Sequence, residues 1–133
     1  MTLEEAIRGV LIASGAVGVR IEQRINPVGE AVDRELPAIV YERISGPHDY
    51  TSDGDAGHYV VRLQLTCLAD NYDDAVGLAL MVKTVLTSYV GQVENITIQH
   101  IAIDNELDLP IGRADNEQSM AFGRVLDIIV WHT

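Results

Sequence analysis

The sequence is poor in the residues that mark several classes of protein. A single cysteine, Cys67, cannot form an internal disulfide and is typical of a reducing compartment. One tryptophan and an aromatic content of 5% offer no stacking platform for single-stranded nucleic acid. No apolar run approaches the ~18 residues of a membrane span, and Glu4 and Glu5 lie where an export signal would carry positive charge. We therefore expect a cytoplasmically made protein without a membrane segment.

Basic residues are also scarce. Nine lysines and arginines stand against 20 acidic residues, which gives a formal net charge of −11. Such a charge disfavours binding to nucleic acid or to anionic lipid. A hydrophobic fraction of 47% in 133 residues indicates a folded chain with room for one core, so we predict a single domain over residues 1–133.

The motifs of catalysis and of metal binding are missing from the sequence. The four histidines are scattered, without a partner set for zinc. Asp53-Gly54-Asp55 lacks the later ligands of an EF-hand calcium loop. No phosphate-binding glycine loop and no nucleophile elbow occurs. The sequence thus predicts no enzyme, no cofactor and no metal, and Cys67 is interpreted as a small core residue.

Two helices have clear start signals. Thr2 and Glu5 form a T-x-x-E capping box before an apolar stripe, and Gly15 is a plausible stop. Asn71 is the predicted N-cap of a second helix, which should run to about residue 90. Residues 78–82 of this helix are apolar on every side, so either the fold or a neighbouring subunit must cover them. The candidate subunit-interface residues are Leu78, Leu80 and Met81.

Four segments have strand patterns: 38–45, 58–68, 97–103 and 120–132. The second alternates most cleanly, and at ~3.3 Å per residue it would reach ~36 Å, as in a protruding hairpin. Residues 16–36 are interpreted as a loop with one short extended piece at 19–25. The predicted fold is α+β, an antiparallel sheet of about four main strands with two helices packed on one face and long inter-strand loops.

The two predicted loops, 46–57 and 104–119, are longer than hairpin connections, which usually take ~2–5 residues. They are also acidic, and two interpretations stay open. Either the loops contact a partner or line a passage through which DNA slides, or they are simply solvated. The candidate tube or channel contacts are Asp49, Tyr50, Asp53, Asp55, Asp104, Glu106 and Asp108.

The order of these motifs resembles the tail-completion, or tail-terminator, family of long-tailed bacteriophages. The resemblance covers the N-terminal helix at 2–14, the segment x-L-P-A-I-V-Y-x-R-I-S-G at 35–46 and the D-Y-x-x-D-G loop at 49–54. The helix opened by N-Y-D-D-A at 71–75 and a last strand ending at Trp131 complete it. Each motif is weak alone, and the family pattern is vague over 16–36 and 107–118.

The resemblance implies a structural virion protein, with six copies in a ring at the head-proximal end of the tail tube. Such a ring ends tube growth, joins the tube to a head-side connector or stopper protein, and lets the genome pass without specific binding. One alternative is a head-completion, connector or tail-tube protein. Another is a small cytoplasmic enzyme or ligand-binding domain that uses His48, Asp49, Tyr50 and His58.

Overall fold

The computed structural model describes the backbone of residues 2–22, 24–27, 36–45, 48–51, 54–113 and 116–133. Side chains are described in the same ranges except at 45, 48–51, 54–58, 109–113 and 116–121. The helices in this part of the chain are α1 (Leu3–Ala13), α2 (Gly15–Ile21) and α3 (Tyr72–Thr87). The strands are β1 (Ile25–Pro27), β2 (Ala38–Ser45), β3 (His48–Thr51), β4 (Gly54–Ala69), β5 (Gly91–Val93), β6 (Ile96–Arg113) and β7 (Asn116–His132).

The described strands form one curled sheet in the order β1-β2-β4-β7-β6-β5, and β3 pairs with β4 beyond the end of β2. The pair β1–β2 is parallel and the other pairs are antiparallel. The predicted fold, an antiparallel sheet of four main strands with two helices, is therefore wrong. The sheet is mixed and wider, and a third helix is present in the described part of the chain.

The missed elements are short and lie where the sequence pattern is weak. Residues 16–36 were expected to form a loop, but α2 places Val17 and Ile21, one helical turn apart, in the core. Strand β1 follows at once and is joined to α1, because Arg8 Nε donates a hydrogen bond of 2.9 Å to the Ile25 carbonyl. A helix of seven residues and a strand of three are too short to give a periodic signal.

The two long inter-strand loops are a second correction. Much of 46–57 belongs to the antiparallel pair β3–β4, in which Thr51 pairs with Gly54. Much of 104–119 belongs to β6 and β7, whose last pair is Arg113 with Asn116. The usual sign of a strand is alternation between a buried and a solvated face, and the sequence of these segments does not show that alternation.

The predicted alternation of β4 is confirmed. Its odd-numbered residues from Val61 to Ala69 are buried, and the residues between them are half-buried. All three described helices pack against this one face, which we call the covered face. The core cluster consists of Leu3, Ala6, Ile7, Leu11, Val17, Ile21, Ile25, Ile39, Val61, Leu63, Leu65, Cys67, Leu78, Ala79, Val82, Leu86, Ile96, Ile98, Ile101, Leu126, Ile128 and Val130.

The helix start signals are confirmed as well. Thr2 Oγ1 accepts a hydrogen bond from the Glu5 amide at 3.2 Å, and Asn71 Oδ1 accepts one from the Asp74 amide at 2.9 Å. Each bond satisfies one of the free N–H groups at a helix start. Gly18 is needed where α2 turns back on α1, because a Cβ there would lie 2.2 Å from the Ile12 carbonyl oxygen.

Candidate assembly surfaces

Two two-stranded ribbons extend from opposite ends of the sheet. Strand β4 pairs with β7 from Tyr59–His132 to Ala69–Phe122. Residues 54–58 of β4 therefore continue past the end of β7, and β3 is the one described strand that pairs with this part of β4. Residues 116–121 of β7 continue past the other end of β4, where β6 is their partner among the described strands. At ~3.3 Å per residue, these ribbons extend ~17 Å and ~20 Å beyond the shared part of the sheet.

A cluster of charged side chains lies at the base of the β6–β7 ribbon, on the covered face. Arg124 of β7 is at its centre. Its Nη1 donates to Glu106 Oε2 of β6 at 2.9 Å, and its Nη2 donates to the Tyr72 hydroxyl of α3 at 3.1 Å. The Tyr72 hydroxyl donates to Asp108 Oδ2 at 3.0 Å. Lys83 Nζ of α3 completes the cluster, 2.8 Å from Glu106 Oε1.

The cluster balances its charges within itself, because Lys83 and Arg124 offset Glu106 and Asp108. Arg124 Nε lies 2.6 Å from Asp108 Oδ1 but is not aligned for a hydrogen bond, so this contact is electrostatic. We call this set the Arg124 cluster. It joins both halves of α3 to strands β6 and β7 near the start of the β6–β7 ribbon.

The thiol of Cys67 lies at the edge of this polar region. Burial raises its pKa to about 12, and the negative charge of Glu106 contributes to the shift. At neutral pH the thiol is therefore protonated and a poor nucleophile. The prediction that Cys67 is a buried core residue is confirmed by its full burial.

The predicted tube or channel contacts divide into three groups. Glu106 and Asp108 are held in the Arg124 cluster. Asp104 forms an ion pair with Arg62. The side chains of Asp49, Tyr50, Asp53 and Asp55 lie outside the described residues, so their contacts stay a prediction. The three described carboxylates thus face arginine or lysine of the same chain rather than standing as free charges.

The predicted interface residues of α3 do not lie together on the surface. Leu78 is fully buried in the core, and Met81 is half-buried against it. Only Leu80 is exposed, at 58%. Most of the apolar run at 78–82 is therefore covered within the fold. Leu80 alone offers a large apolar side chain to a neighbour at this point of the helix.

The opposite face of the sheet is covered by no described helix. Val60 is 41% exposed there, beside Trp131, with which it is paired in register. Leu107 of β6 is 44% exposed and Ile44 of β2 is 48% exposed. These two residues lie on the outermost long strands, one near each edge of the sheet. We call this side the open face.

A depression of about 390 Å³ lies where the start of α1 meets the end of β7. Its wall includes the Glu4–Arg43 ion pair, in which Arg43 Nε donates to Glu4 Oε1 at 2.7 Å. His132 also lines it, stacked on Tyr59 with ring centroids 5.2 Å apart. Burial lowers the pKa of His132 from its ordinary value, and its Nδ1 has no hydrogen-bond partner among the described residues.

The described residues include no cluster of three or more histidine, cysteine or acidic side chains suited to a metal. Among the described helices there is none with the length and apolar character that a membrane span needs. The side chains of His48, Asp49, Tyr50 and His58, which the alternative enzyme or binding-domain interpretation requires, are not described. That alternative stays untested by the geometry.

Sequence reasoning missed the parts of the site that join distant segments. Tyr72 and Lys83 of α3 and Arg124 of β7 form one cluster with Glu106 and Asp108 of β6, so its five residues come from three separate elements. Its partners lie up to 52 residues apart in the chain, so no short motif marks them.

The chain matches no protein-family model and no curated protein. The resemblance to tail-completion proteins therefore depends on the order of its sequence motifs alone, and what it implies about function is a proposal.

Proposed function

We propose that this protein is a structural component of a phage tail, the terminator at the head-proximal end of the tail tube. Copies of the chain form a ring, with six members implied by the resemblance. The ring ends tube growth and provides the surface to which the head is joined. Its partners are further copies of itself, the tail-tube protein and a head-side connector or stopper protein, and its location is the virion.

The observation that carries this proposal is the pair of ribbons at opposite ends of the sheet. A ring that lies between a tube and a head must make contacts in both axial directions. Two-stranded ribbons are marginal in water on their own, so both gain stability when another protein covers them. One ribbon at each end of the sheet suits a protein with a partner on each side.

The charge of the chain supports the same role. A net charge of −11 repels phosphate, so DNA can pass near the protein without adhering, although salt screens this repulsion beyond ~8–10 Å. The described acids 104, 106 and 108 are paired within the chain. Repulsion would therefore come from the net charge as a whole rather than from these three carboxylates.

The alternatives within the virion predict different particles when the chain is absent. We expect phage lacking this chain to make tail tubes of abnormal and variable length that carry no heads, because nothing stops tube growth. Loss of a connector would leave tails of normal length beside separate filled heads. Loss of a tube subunit would leave heads and no tails. Electron microscopy of lysates, with complementation by the wild-type chain as the control, distinguishes these outcomes.

A further inference from the structure

Two carboxylates on the open face lack a cation. In the described part of the chain, the acidic residues that are half-buried are Glu4, Glu42, Glu106 and Asp127. Glu4 and Glu106 form ion pairs. Glu42 and Asp127 make no hydrogen bond or ion pair with a described residue. A carboxylate that has lost part of its water is stabilised by a cation that takes the place of that water.

These two carboxylates lie in one row that crosses the open face. Glu42 of β2 is paired in register with Gln64 of β4, and Gln64 is paired with Asp127 of β7. Asn105 of β6 completes this acidic row, opposite Asp127. The next row of the open face, which we call the apolar row, consists of Val40, Thr66, Val125 and Leu107. Negative charge and apolar surface thus lie side by side on the open face.

The outer side of α2 carries the opposite charge. Ala16, Val19 and Arg20 lie three and four residues apart on one side of this helix, and all three are exposed. Val19, at 79%, is the most exposed of the large hydrophobic residues in the described part of the chain. The guanidinium of Arg20 has no partner among the described residues. Every other described arginine, and Lys83, binds at least one acceptor.

The unpaired cation and the unpaired carboxylates lie on opposite sides of the sheet. Helix α2 packs on the covered face through Val17 and Ile21, so the sheet separates Arg20 from the open face of its own chain. A second copy can bring the two together. Such a contact joins two different surfaces, and contacts of this kind form closed rings when the rotation permits.

We infer that α2 of one copy packs on the open face of the next copy, with Arg20 above Gln64 and Val19 on the apolar row at Thr66. Strand β4 lies between β2 and β7, so a guanidinium above Gln64 has Glu42 on one side and Asp127 on the other.

The dimensions of a helix and a sheet agree with this contact. Neighbouring rows of a sheet face are two residues apart, or ~7 Å, and one helical turn of ~5.4 Å covers most of that distance. The small side chain of Ala16, one turn before Arg20, lets the helix approach the strands closely. The contact deepens the proposed function, because it joins neighbouring copies of the ring, and it rests on that ring for an adjacent copy.

A charge exchange tests the polar half of the contact. Phage that lacks the chain is complemented with Arg20→Glu, with Asp127→Lys or with both, and the amount of the chain in purified particles is measured by immunoblot. Each single variant should be incorporated more than about tenfold less than wild type, because like charges then face each other. The double variant should recover most of the loss, since Glu and Lys attract each other across the contact.

The control for this exchange is Glu94→Lys. It changes the net charge as much as Asp127→Lys does, but Glu94 lies between β5 and β6, away from the open face, and is exposed. This variant should be incorporated like wild type. Circular dichroism checks that each purified variant is folded. Normal incorporation of Arg20→Glu, or failure of the double variant when both folded single variants are excluded, would overturn the inference.

Cysteine cross-linking tests the apolar half of the contact in assembled particles. Particles that carry Val19→Cys together with Thr66→Cys are treated with a short bismaleimide and analysed on a denaturing gel. We expect a ladder of cross-linked copies up to the full ring. The native Cys67 is fully buried, so its thiol does not react in the folded protein.

The controls separate this contact from other arrangements. Val19→Cys with Leu80→Cys places two exposed thiols on the helical side of the sheet and should give no ladder. A ladder from this pair, or dimers from Val19→Cys alone, would mean that helices of neighbouring copies face each other, which overturns the inference. Incorporated Val19→Cys/Thr66→Cys chains without cross-links would overturn it and leave the ring intact. Absence of even the wild-type chain from particles would reject the proposed function, and with it this contact.

Discussion

On the covered face of the sheet, the odd-numbered residues of β4 from Val61 to Ala69 are buried under three helices. On the open face, the residues between them are half-buried, and Val60, Ile44 and Leu107 are exposed. Both faces belong to the same strands, so their difference comes from what packs on them. The covered face holds the core cluster, whereas the open face keeps these three apolar side chains partly in contact with solvent.

The largest expected loss of stability comes from a cavity made under the helices. Leu65→Ala removes a fully buried side chain from the centre of the covered face and should lower the free energy of unfolding by about 2–5 kcal/mol. Leu107→Ala on the open face should change it by less than about 1 kcal/mol, because that side chain is already partly in water. Urea denaturation measures both. Equal losses at the two positions would contradict the division.

The next largest loss of stability should come from disturbing the close contact between α1 and α2. Gly18→Ala places a Cβ 2.2 Å from the Ile12 carbonyl oxygen, so the helices must move apart at a cost of about 1–3 kcal/mol. Gly77→Ala in α3 is the matched control, because a Cβ there meets no atom within 4 Å. It should raise stability by about 0.5–1 kcal/mol, since alanine is the better helix former. A neutral Gly18→Ala would argue against this packing.

Breaking an ion pair should likewise lower stability more on the covered face than on the open face. Arg124→Met leaves Glu106 and Asp108 with fewer partners in a half-buried site and should cost about 1–2 kcal/mol. Arg62→Met breaks the more exposed pair with Asp104 on the open face and should cost less than about 1 kcal/mol. Thermal unfolding of the two variants compares them. A larger loss for Arg62→Met would mean that the Arg124 cluster does not stabilise the covered face.

The smallest expected effect is a change in the pH dependence of stability, which comes from His132 at the end of the covered face. Its pKa is lowered in the folded protein, mainly by burial, so the folded state resists protonation more than the unfolded chain does. Stability should therefore fall as the pH drops below the unfolded value of about 6.5. His132→Phe keeps an aromatic ring beside Tyr59 and should flatten this part of the profile. Identical wild-type and variant slopes between pH 7 and 5 would contradict the assignment.

Sequence reasoning succeeded where local chemistry decides the structure. The side chains of Thr2 and Asn71 cap helices whose start each residue signals by itself. The alternation along β4 identified its buried face because one side of the strand is covered along most of its length. Signals of this kind need only a few neighbouring residues to agree.

The sequence-based predictions were wrong where contacts between distant segments determine the structure. Strand β1 forms because its three residues pair with β2 and accept a hydrogen bond from Arg8. Those three residues have no sequence pattern that predicts a strand. The acidic segment at 104–108 was interpreted as a loop, yet it is a strand whose carboxylates meet Arg62, Lys83 and Arg124 from other elements. Its ion pairs replace the apolar alternation that would have marked a strand.

The most direct test of the proposed role is the location of the chain in the particle. Immunogold electron microscopy of the encoding phage, with antibody against this protein, should label only the junction between head and tail, and one end of free tails. Label along the whole tube would make the chain a tube subunit. Absence of label from intact, permeable particles would contradict the proposal and favour the alternative of a small enzyme or ligand-binding domain.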